Sequence, residues 1–250
     1  MSYLDSPFLS KASHICLNAI QFDGGKATSF DIYYFTEPFS ISLYQLLFES
    51  QQRLCFELKC LLAKNIIQGL EALEENETWN KNFRPQNIVV RTPLPTKKDI
   101  EEMENAEENK ESEKKLAFAK QINFGFQSPA ELKSKGSKSS SPTELKEILK
   151  YCAPETLEKN MITKESNIYT LGLILYELFS EKKAFSDMNI EFLQSYNSNN
   201  IGFFWLHEVT GHRDLNECII SCLSYNSDKR PYLSNVMSQI NQLHPNENEI

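Results

Sequence analysis

The sequence is poor in the features that mark several large classes of protein. Its six cysteines include no Cys-x-x-Cys pair, and its start has no basic stretch followed by an apolar run, so we expect neither a disulfide scaffold nor a signal peptide. The net charge is −8, and the lysines and arginines form no cluster in the sequence. Both observations argue against a nucleic-acid ligand. The most apolar segment, Ile168 to Phe179, is too short to cross a bilayer and contains Glu177. These absences predict an intracellular, cytoplasmic protein that binds neither membranes nor nucleic acids.

The residues that are present suffice for a buried core and indicate mixed secondary structure. Hydrophobic residues make up 40 % of the 250 positions. β-Branched and aromatic residues on both sides of Gly24-Gly25 predict two strands joined by a turn. Short strands are expected near 87–90 and 116–124. Apolar residues at helical spacing predict helices at 42–48, 56–74, 166–180, 190–196, 215–223 and 233–243. A few strands followed mostly by helices predict an α+β fold.

The segment from Thr96 to Lys115 differs in composition from the rest of the chain. It holds eight acidic and five basic residues and almost no apolar ones. This composition favours a solvated loop or a frayed helix. The alternative interpretation is a specific docking site for a basic partner.

Six short motifs follow one another along the chain. They are YYFTEPFSISLYQLL (33–47), NKNFRPQNIVV (80–90), INFGF (122–126), YCAPETL (151–157), ESNIYTLGLILYELFSEKKAF (165–185) and SDKRP (227–231). In this order they resemble the hinge, catalytic loop, D-F-G magnesium motif, A-P-E motif, central helix and D-x-x-x-R-P segment of the protein kinase superfamily. The resemblance implies an α+β protein-kinase-like fold, mainly the helical C-lobe with a remnant of the N-lobe β-sheet.

The letters His-Arg-Asp-Leu at 212–215 match the family's catalytic loop but stand in the wrong place. In the family the catalytic Asp and the metal-binding Asn are five residues apart. Five residues after Asp214 comes Ile219, whereas five residues after Asn82 comes Asn87. We therefore assign the catalytic loop to the segment that contains Asn82 and Asn87. The later letters are interpreted as the start of a helix, where Arg213 and Asp214 are surface charges.

In this alignment neutral residues occupy the family's acidic positions. Asn82 stands at the catalytic Asp, Asn123 at the magnesium-binding Asp of D-F-G, and Asn167 at the Asp that braces the catalytic loop. Arg84 takes the place of the loop lysine, and the metal-binding Asn87 is retained. An amide cannot take up a proton at ordinary pH and is a weak ligand for Mg²⁺. The resemblance thus implies degraded catalytic and metal-binding positions.

Other positions match the family pattern without a change of charge. They are the gatekeeper, the first hinge residue, the rest of the D-F-G motif and the partners of a buried ion pair. In that order these are Thr36, Glu37, Phe124, Gly125, Glu155 and Arg230. The resemblance implies nucleotide contacts for the first two and structural roles for the others.

The N-lobe motifs of the family are missing. Nothing before Thr36 resembles G-x-G-x-x-G, and neither Lys11 nor Lys26 lies in a V-A-I-K strand. We expect residues 1–36 to be an N-lobe remnant with the end of helix C and two strands. Residues 37–243 would form a kinase-like C-lobe with an acidic insert at 93–115 and an activation segment at 123–155, and 244–250 a polar tail.

Two hypotheses about function follow from this resemblance. The first is a pseudokinase that serves as an interaction or regulatory scaffold, needs no cofactor and binds another protein, such as a kinase or a kinase substrate. The alternative is a weak or conditional Ser/Thr protein kinase, from a truncated gene model or completed by a partner, that transfers the γ-phosphate of ATP with Mg²⁺. Ser128 and Ser141 each precede a proline and are candidate phosphorylation sites.

Overall fold

The computed structural model describes residues 6–10, 41–105, 117–122, 147–185 and 211–245, together with the backbone of 12–23 and 26–36. The predicted helix at 190–196, most of the predicted activation segment, both candidate phosphorylation sites and the end of the tail lie outside these residues. Within the described segments, no helix is both long enough and apolar enough to cross a lipid bilayer.

The predicted N-terminal hairpin is confirmed. Strand β1 (Ala12–Asp23) pairs antiparallel with strand β2 (Lys26–Thr36), and the register places Leu17 opposite Ile32. The register shifts three times, and each shift marks a bulge or irregularity. The end of helix C expected before these strands is not found at residues 6–10, which form a turn and a bridge.

A second, three-stranded antiparallel sheet lies beside the helices. Its order is β3 (Ile41–Ser42), β4 (Ile88–Val90) and β5 (Ala119–Gln121). In β4 the side chains of Ile88 and Val90 are fully buried, as the two-residue period of a strand predicts for one face of a sheet. The parallel bridge between Leu9 and Gln121 ties the N-terminal segment to β5.

Besides the helical residues 147–150, seven α-helices are described. They are α1 (Leu43–Phe48), α2 (Phe56–Glu74), α3 (Lys97–Glu104), α4 (Pro154–Lys159), α5 (Lys164–Ser180), α6 (Arg213–Cys222) and α7 (Leu233–Gln242). Helix α2 has the predicted bounds, because its leucines and isoleucines recur at helical spacing. The other predicted helices that fall on described residues differ from the structure by one or two residues.

Helix α5 is the centre of the fold. Fourteen of its 17 residues are buried, so it has no solvent-facing side. Helices α2 and α6 pack against it. The approach of α6 is close, because a Cβ atom on Gly172 would lie 2.7 Å from the Cβ of Cys222. Thr163 caps the first turn in a capping box with Ser166. The residues at the start of α5 are therefore held in fixed positions.

The first part of the acidic segment forms a docked helix, which corrects the expectation of a solvated loop or a frayed helix. Thr96 caps α3 in a capping box with Asp99. Ile100 is only 1 % exposed and belongs to the main core. Ion pairs of 2.6 Å from Lys97 to Glu57 and 3.0 Å from Lys64 to Glu104 join the helix to α2. Ile100 and the partly buried Met103 are the only apolar residues of this helix, which is too weak a periodic signal for a prediction from sequence.

Candidate catalytic loop and its surroundings

The segment from Asn80 to Asn87 connects α2 to β4. It ends in a 3₁₀ turn, Pro85–Asn87, in which the amide N–H of Asn87 donates to the carbonyl of Arg84 over 2.9 Å. Proline at the first position of the turn favours this conformation. The side-chain Nδ2 of Asn87 donates to the carbonyl of Asn82 over 2.7 Å, and its own carbonyl accepts from the amide of Ile122 over 2.9 Å. These bonds hold both ends of the loop.

Asn167 braces the loop from the first turn of α5. Its Oδ1 accepts from the amide N–H of Asn80 over 2.8 Å, and its Nδ2 donates to the carbonyl of the same residue over 2.8 Å. Both residues are buried. An aspartate could make only the first of these two bonds, since it has no N–H. The arrangement therefore uses an ability that asparagine has and aspartate lacks.

A series of hydrogen bonds between side-chain amides connects the loop to β5 and α2. The Oδ1 of Asn80 accepts from the amide N–H of Asn82 over 3.0 Å, and its Nδ2 donates to Oε1 of Gln121 over 2.9 Å. Nε2 of Gln121 in turn donates to the carbonyl of Ile66 in α2 over 2.8 Å. Gly69 makes room for this contact, because a Cβ there would lie 2.6 Å from that Nε2 atom. Neither Gln121 nor Gly69 was predicted from the sequence. The available signal for Gln121 was a glutamine within a short predicted strand.

The side chains of Asn82 and Lys81 make fewer contacts than those of the brace. The side-chain amide of Asn82 is half-buried and makes no hydrogen bond within the part of the chain that the structure describes. Lys81 is exposed and, within the same part, forms no ion pair. Arg84 is half-buried. The loop thus carries two cationic side chains, Lys81 and Arg84, and the neutral amide of Asn82.

These side chains border a small cavity of about 30 Å³ that is partly open to solvent and that we call the loop cavity. Residues of the segment from Asn80 to Asn87, of the region around Ala153 and of α5 line it. The described lining residues are Asn80, Lys81, Asn82, Phe83, Arg84, Ile148, Tyr151, Cys152, Ala153, Thr156, Ile162, Ser166, Asn167 and Thr170. None of them is acidic.

The predicted ion pair between Glu155 and Arg230 is present. Two hydrogen bonds of 2.7 and 2.9 Å join the guanidinium of Arg230 to the two carboxylate oxygens. The Arg230 side chain is fully buried and also donates to the carbonyls of Glu165 and Ser224. Burial alone raises the pKa of Glu155, but the hydrogen bonds and charge of Arg230 outweigh it and leave that pKa below its usual value. The pair ties α4 to the segment before α7.

A second buried polar pair was missed in the sequence. The hydroxyl of Tyr151 donates to Glu177, with its oxygen 2.9 and 3.0 Å from the two carboxyl oxygens, and the amide N–H of Ala184 donates to the same carboxyl group over 2.9 Å. Burial raises the pKa of Glu177 to about 7 and that of Tyr151 well above its usual value. A glutamate inside an otherwise apolar helix was the signal that could have revealed the pair.

The His-Arg-Asp-Leu letters lie at the start of α6. His212 precedes the helix and stacks on Phe56 with ring centroids 4.9 Å apart. Arg213 begins the helix and pairs with the exposed Glu217 over 2.9 Å, and Asp214 lies in the first turn. None of these residues lines the loop cavity. The interpretation of this motif as a helix start is confirmed.

Several predicted site residues are not brought together by the described structure. Thr36 is the last residue of β2, where only the backbone is described. Glu37, Asn123, Phe124 and Gly125 lie outside the described residues. Among the described residues no group of three or more His, Cys, Asp or Glu side chains could hold a metal ion. The hinge and magnesium-motif assignments therefore stay predictions.

Comparison with protein families agrees with the order of these motifs. A family model described as protein tyrosine and serine/threonine kinase matches residues 32–240. The match begins within the second strand of the hairpin and includes the segment from Asn80 to Asn87, the central helix and most of the last helix.

Proposed function

Because the chain belongs to the protein tyrosine and serine/threonine kinase family, we propose that it is a catalytically impaired member, a pseudokinase that acts as an interaction or regulatory scaffold. The observation that carries this proposal is the neutral side chain of Asn82 in an otherwise well-held catalytic loop. Phosphoryl transfer in the family uses a carboxylate at this position to orient the acceptor hydroxyl and receive its proton. An amide can accept a hydrogen bond there but not the proton.

The loop is also a poor fit for magnesium. Among described residues, Asn82 and Asn87 offer only neutral amide and carbonyl oxygens, whereas Mg²⁺ prefers carboxylate and phosphate oxygens. The residue aligned with the D-F-G aspartate is also an asparagine, at position 123. We therefore propose a function that requires neither Mg²⁺ nor another cofactor.

The scaffold role is supported by the contacts that hold the candidate loop in place. The brace from Asn167 and the ion pair of Glu155 with Arg230 hold the loop cavity in shape without any catalytic carboxylate. A surface maintained in this way suits recognition of another protein, and we propose a kinase or a kinase substrate as the partner. The composition, with no Cys-x-x-Cys pair, supports placing this scaffold inside the cell, in the cytoplasm.

A second candidate is a weak or conditional Ser/Thr kinase that uses ATP and Mg²⁺. The retained Asn87, whose Nδ2 fixes the backbone at Asn82, favours it, and so does the cation of Arg84 at the position of the loop lysine. This candidate needs the phosphate-binding elements of an N-lobe from elsewhere, and it predicts a measurable nucleotide affinity.

The test uses the whole chain and two measurements. Thermal unfolding is followed without ligand, with Mg-ATP and with ATP plus EDTA, because a ligand that binds the folded state raises the melting temperature. Transfer of labelled γ-phosphate to a mixture of serine, threonine and tyrosine peptides is measured in parallel. We expect no transfer. Transfer that Asn82→Ala abolishes, while the matched surface change Asn235→Ala preserves it, would establish the kinase instead.

A further inference from the structure

The N-terminal hairpin forms a sheet of its own. Strands β1 and β2 pair with each other, and among the described residues neither pairs with a further strand. In an antiparallel pair, about half of the backbone N–H and C=O groups of each strand face away from the other strand. A lone two-stranded sheet is at best marginally stable in water and needs a further strand or a covering helix. A strand added at either edge would meet this need.

The outer edge of β1 lacks the residues that usually protect the edge of a sheet. In soluble proteins, charged side chains, especially lysine, and prolines keep strands of other chains from pairing at an edge. Residues 12–22 of β1 include no Asp, Glu, Lys, Arg or Pro. The bulges lie outside residues 14–19, which pair with residues 30–35 without a register shift. This uncharged and regular stretch is suited to pairing with another strand.

The edge of β2 differs because a charge lies at its centre. Asp31 is the middle residue of the 11 in this strand. If two copies of β2 paired antiparallel about a two-fold axis at their centres, the two copies of Asp31 would lie opposite each other, and like charges in that position are destabilising. Two copies of β1 paired in the same way bring no like charges together, since its one charged residue, Asp23, ends the strand. The charge pattern therefore selects β1 as the edge that fits a second copy of itself.

We propose that β1 pairs antiparallel with β1 of a second copy of this chain, which gives a dimer with one four-stranded sheet in the order β2-β1-β1-β2. The two-fold axis stands perpendicular to the sheet near Leu17 and Asn18, at the middle of β1. A two-fold dimer is the commonest symmetric assembly, and it brings identical surfaces together. The inference goes beyond the proposed function and does not depend on it, because strand pairing requires neither nucleotide nor phosphotransfer.

Asn18 is the position at which this arrangement is best tested. With the axis at Leu17 or Asn18, the two copies of Asn18 are direct or diagonal neighbours on one face of the shared sheet, within about 8 Å of each other. Within the hairpin, Asn18 lies opposite Asp31. Asn18→Lys therefore gains a neighbour of opposite charge in its own chain and a neighbour of the same charge in the dimer. Asn18→Glu has a like-charged neighbour in both.

The experiment measures the dimer dissociation constant of the full chain by sedimentation equilibrium. We expect Asn18→Lys and Asn18→Glu each to raise it about tenfold, because like charges at this spacing repel each other across the dimer. An equal mixture of the two variants should associate at least as tightly as the parent, since opposite charges then meet. This recovery would exclude misfolding as the cause of the losses. The matched control, Ser29→Lys on β2, adds the same charge as Asn18→Lys and should leave the dissociation constant within about twofold.

Hydrogen exchange read by mass spectrometry locates the contact. The amides of residues 12–22 should exchange more slowly at high than at low protein concentration, whereas those of residues 26–36 should change little. The proposal is overturned if the parent stays monomeric at its highest soluble concentration, if the mixture of variants does not recover association, or if Ser29→Lys weakens it as much as Asn18→Lys. A dimer that leaves the exchange of residues 12–22 unchanged would also overturn it, in favour of an interface elsewhere on the chain.

Discussion

The buried carboxyl group of Glu177 should make the fold less stable as the pH rises through neutrality. Its pKa is raised from 4.5 in the unfolded chain to about 7 in the folded protein, mainly because burial penalises the charge. Below pH 4.5 the group is protonated in both states and costs nothing. Between these two pKa values the unfolded chain releases the proton and the folded protein keeps it, so rising pH favours unfolding. This direction is opposite to that of a carboxylate held by a cation.

The size of the effect follows from the two pKa values of 4.5 and about 7. By linkage, the cost to the folded state is about 1 kcal/mol at pH 5 and about 3 kcal/mol at pH 8. Glu177→Gln removes the ionisation, while its Oε1 can still accept from the amide of Ala184 and the hydroxyl of Tyr151. We expect the variant to exceed the stability of the parent by about 1 kcal/mol at pH 5 and by about 3 kcal/mol at pH 8.

Urea unfolding followed by circular dichroism at pH 5, 6, 7 and 8 measures this difference. Glu155, whose pKa is lowered, loses its contribution only as the pH falls below 4.5, so this range separates the two groups. Glu49→Gln, a change of the same kind at an exposed position after α1, is the control. A constant difference between parent and Glu177→Gln across the range would refute the reasoning, because it would mean that the carboxyl does not titrate between these values.

Two further substitutions test the contacts that hold the loop cavity. Arg230→Ala leaves the partly buried Glu155 carboxylate without its partner and should lower the free energy of unfolding by about 3 kcal/mol, measured by urea denaturation. Arg213→Ala, in an exposed pair, should change it little, and equal effects would contradict the assignment. Asn167→Asp replaces the N–H that donates to the carbonyl of Asn80 by an oxygen and should cost about 1–3 kcal/mol in the same assay. An unchanged stability of Asn167→Asp would mean that the family's aspartate serves as well.

The sequence predicted those parts of the fold that depend on local periodicity. The leucines and isoleucines of α2 recur at helical spacing, and β-branched and aromatic residues are frequent on both sides of Gly24-Gly25, so both elements were placed correctly. The resemblance to kinases also identified Asn167, which is hydrogen-bonded to Asn80 in the structure. It identified Glu155 and Arg230 as well, and these two residues are hydrogen-bonded to each other.

What the sequence could not provide was contacts between distant elements. Gln121 meets Asn80 across 41 positions, and Glu177 meets Tyr151 across 26, and neither pair has a local signature. Helix α3 was not predicted because its one fully buried side chain, Ile100, is buried by tertiary packing, which a local sequence pattern does not show. The assignments of Thr36, Glu37 and Asn123 and the predicted domain boundaries stay predictions.

The amide chain beneath the loop has a consequence for the conditions under which the loop keeps its shape. Asn167, Asn80 and Gln121 hold one another and the backbone through groups that neither ionise nor attract counterions. Salt weakens attractions between exposed charges, and acid protonates carboxylates, but neither acts on a hydrogen bond between amides. The geometry of this loop is therefore set by the same bonds in dilute and in concentrated electrolyte, and in mildly acidic and in neutral surroundings.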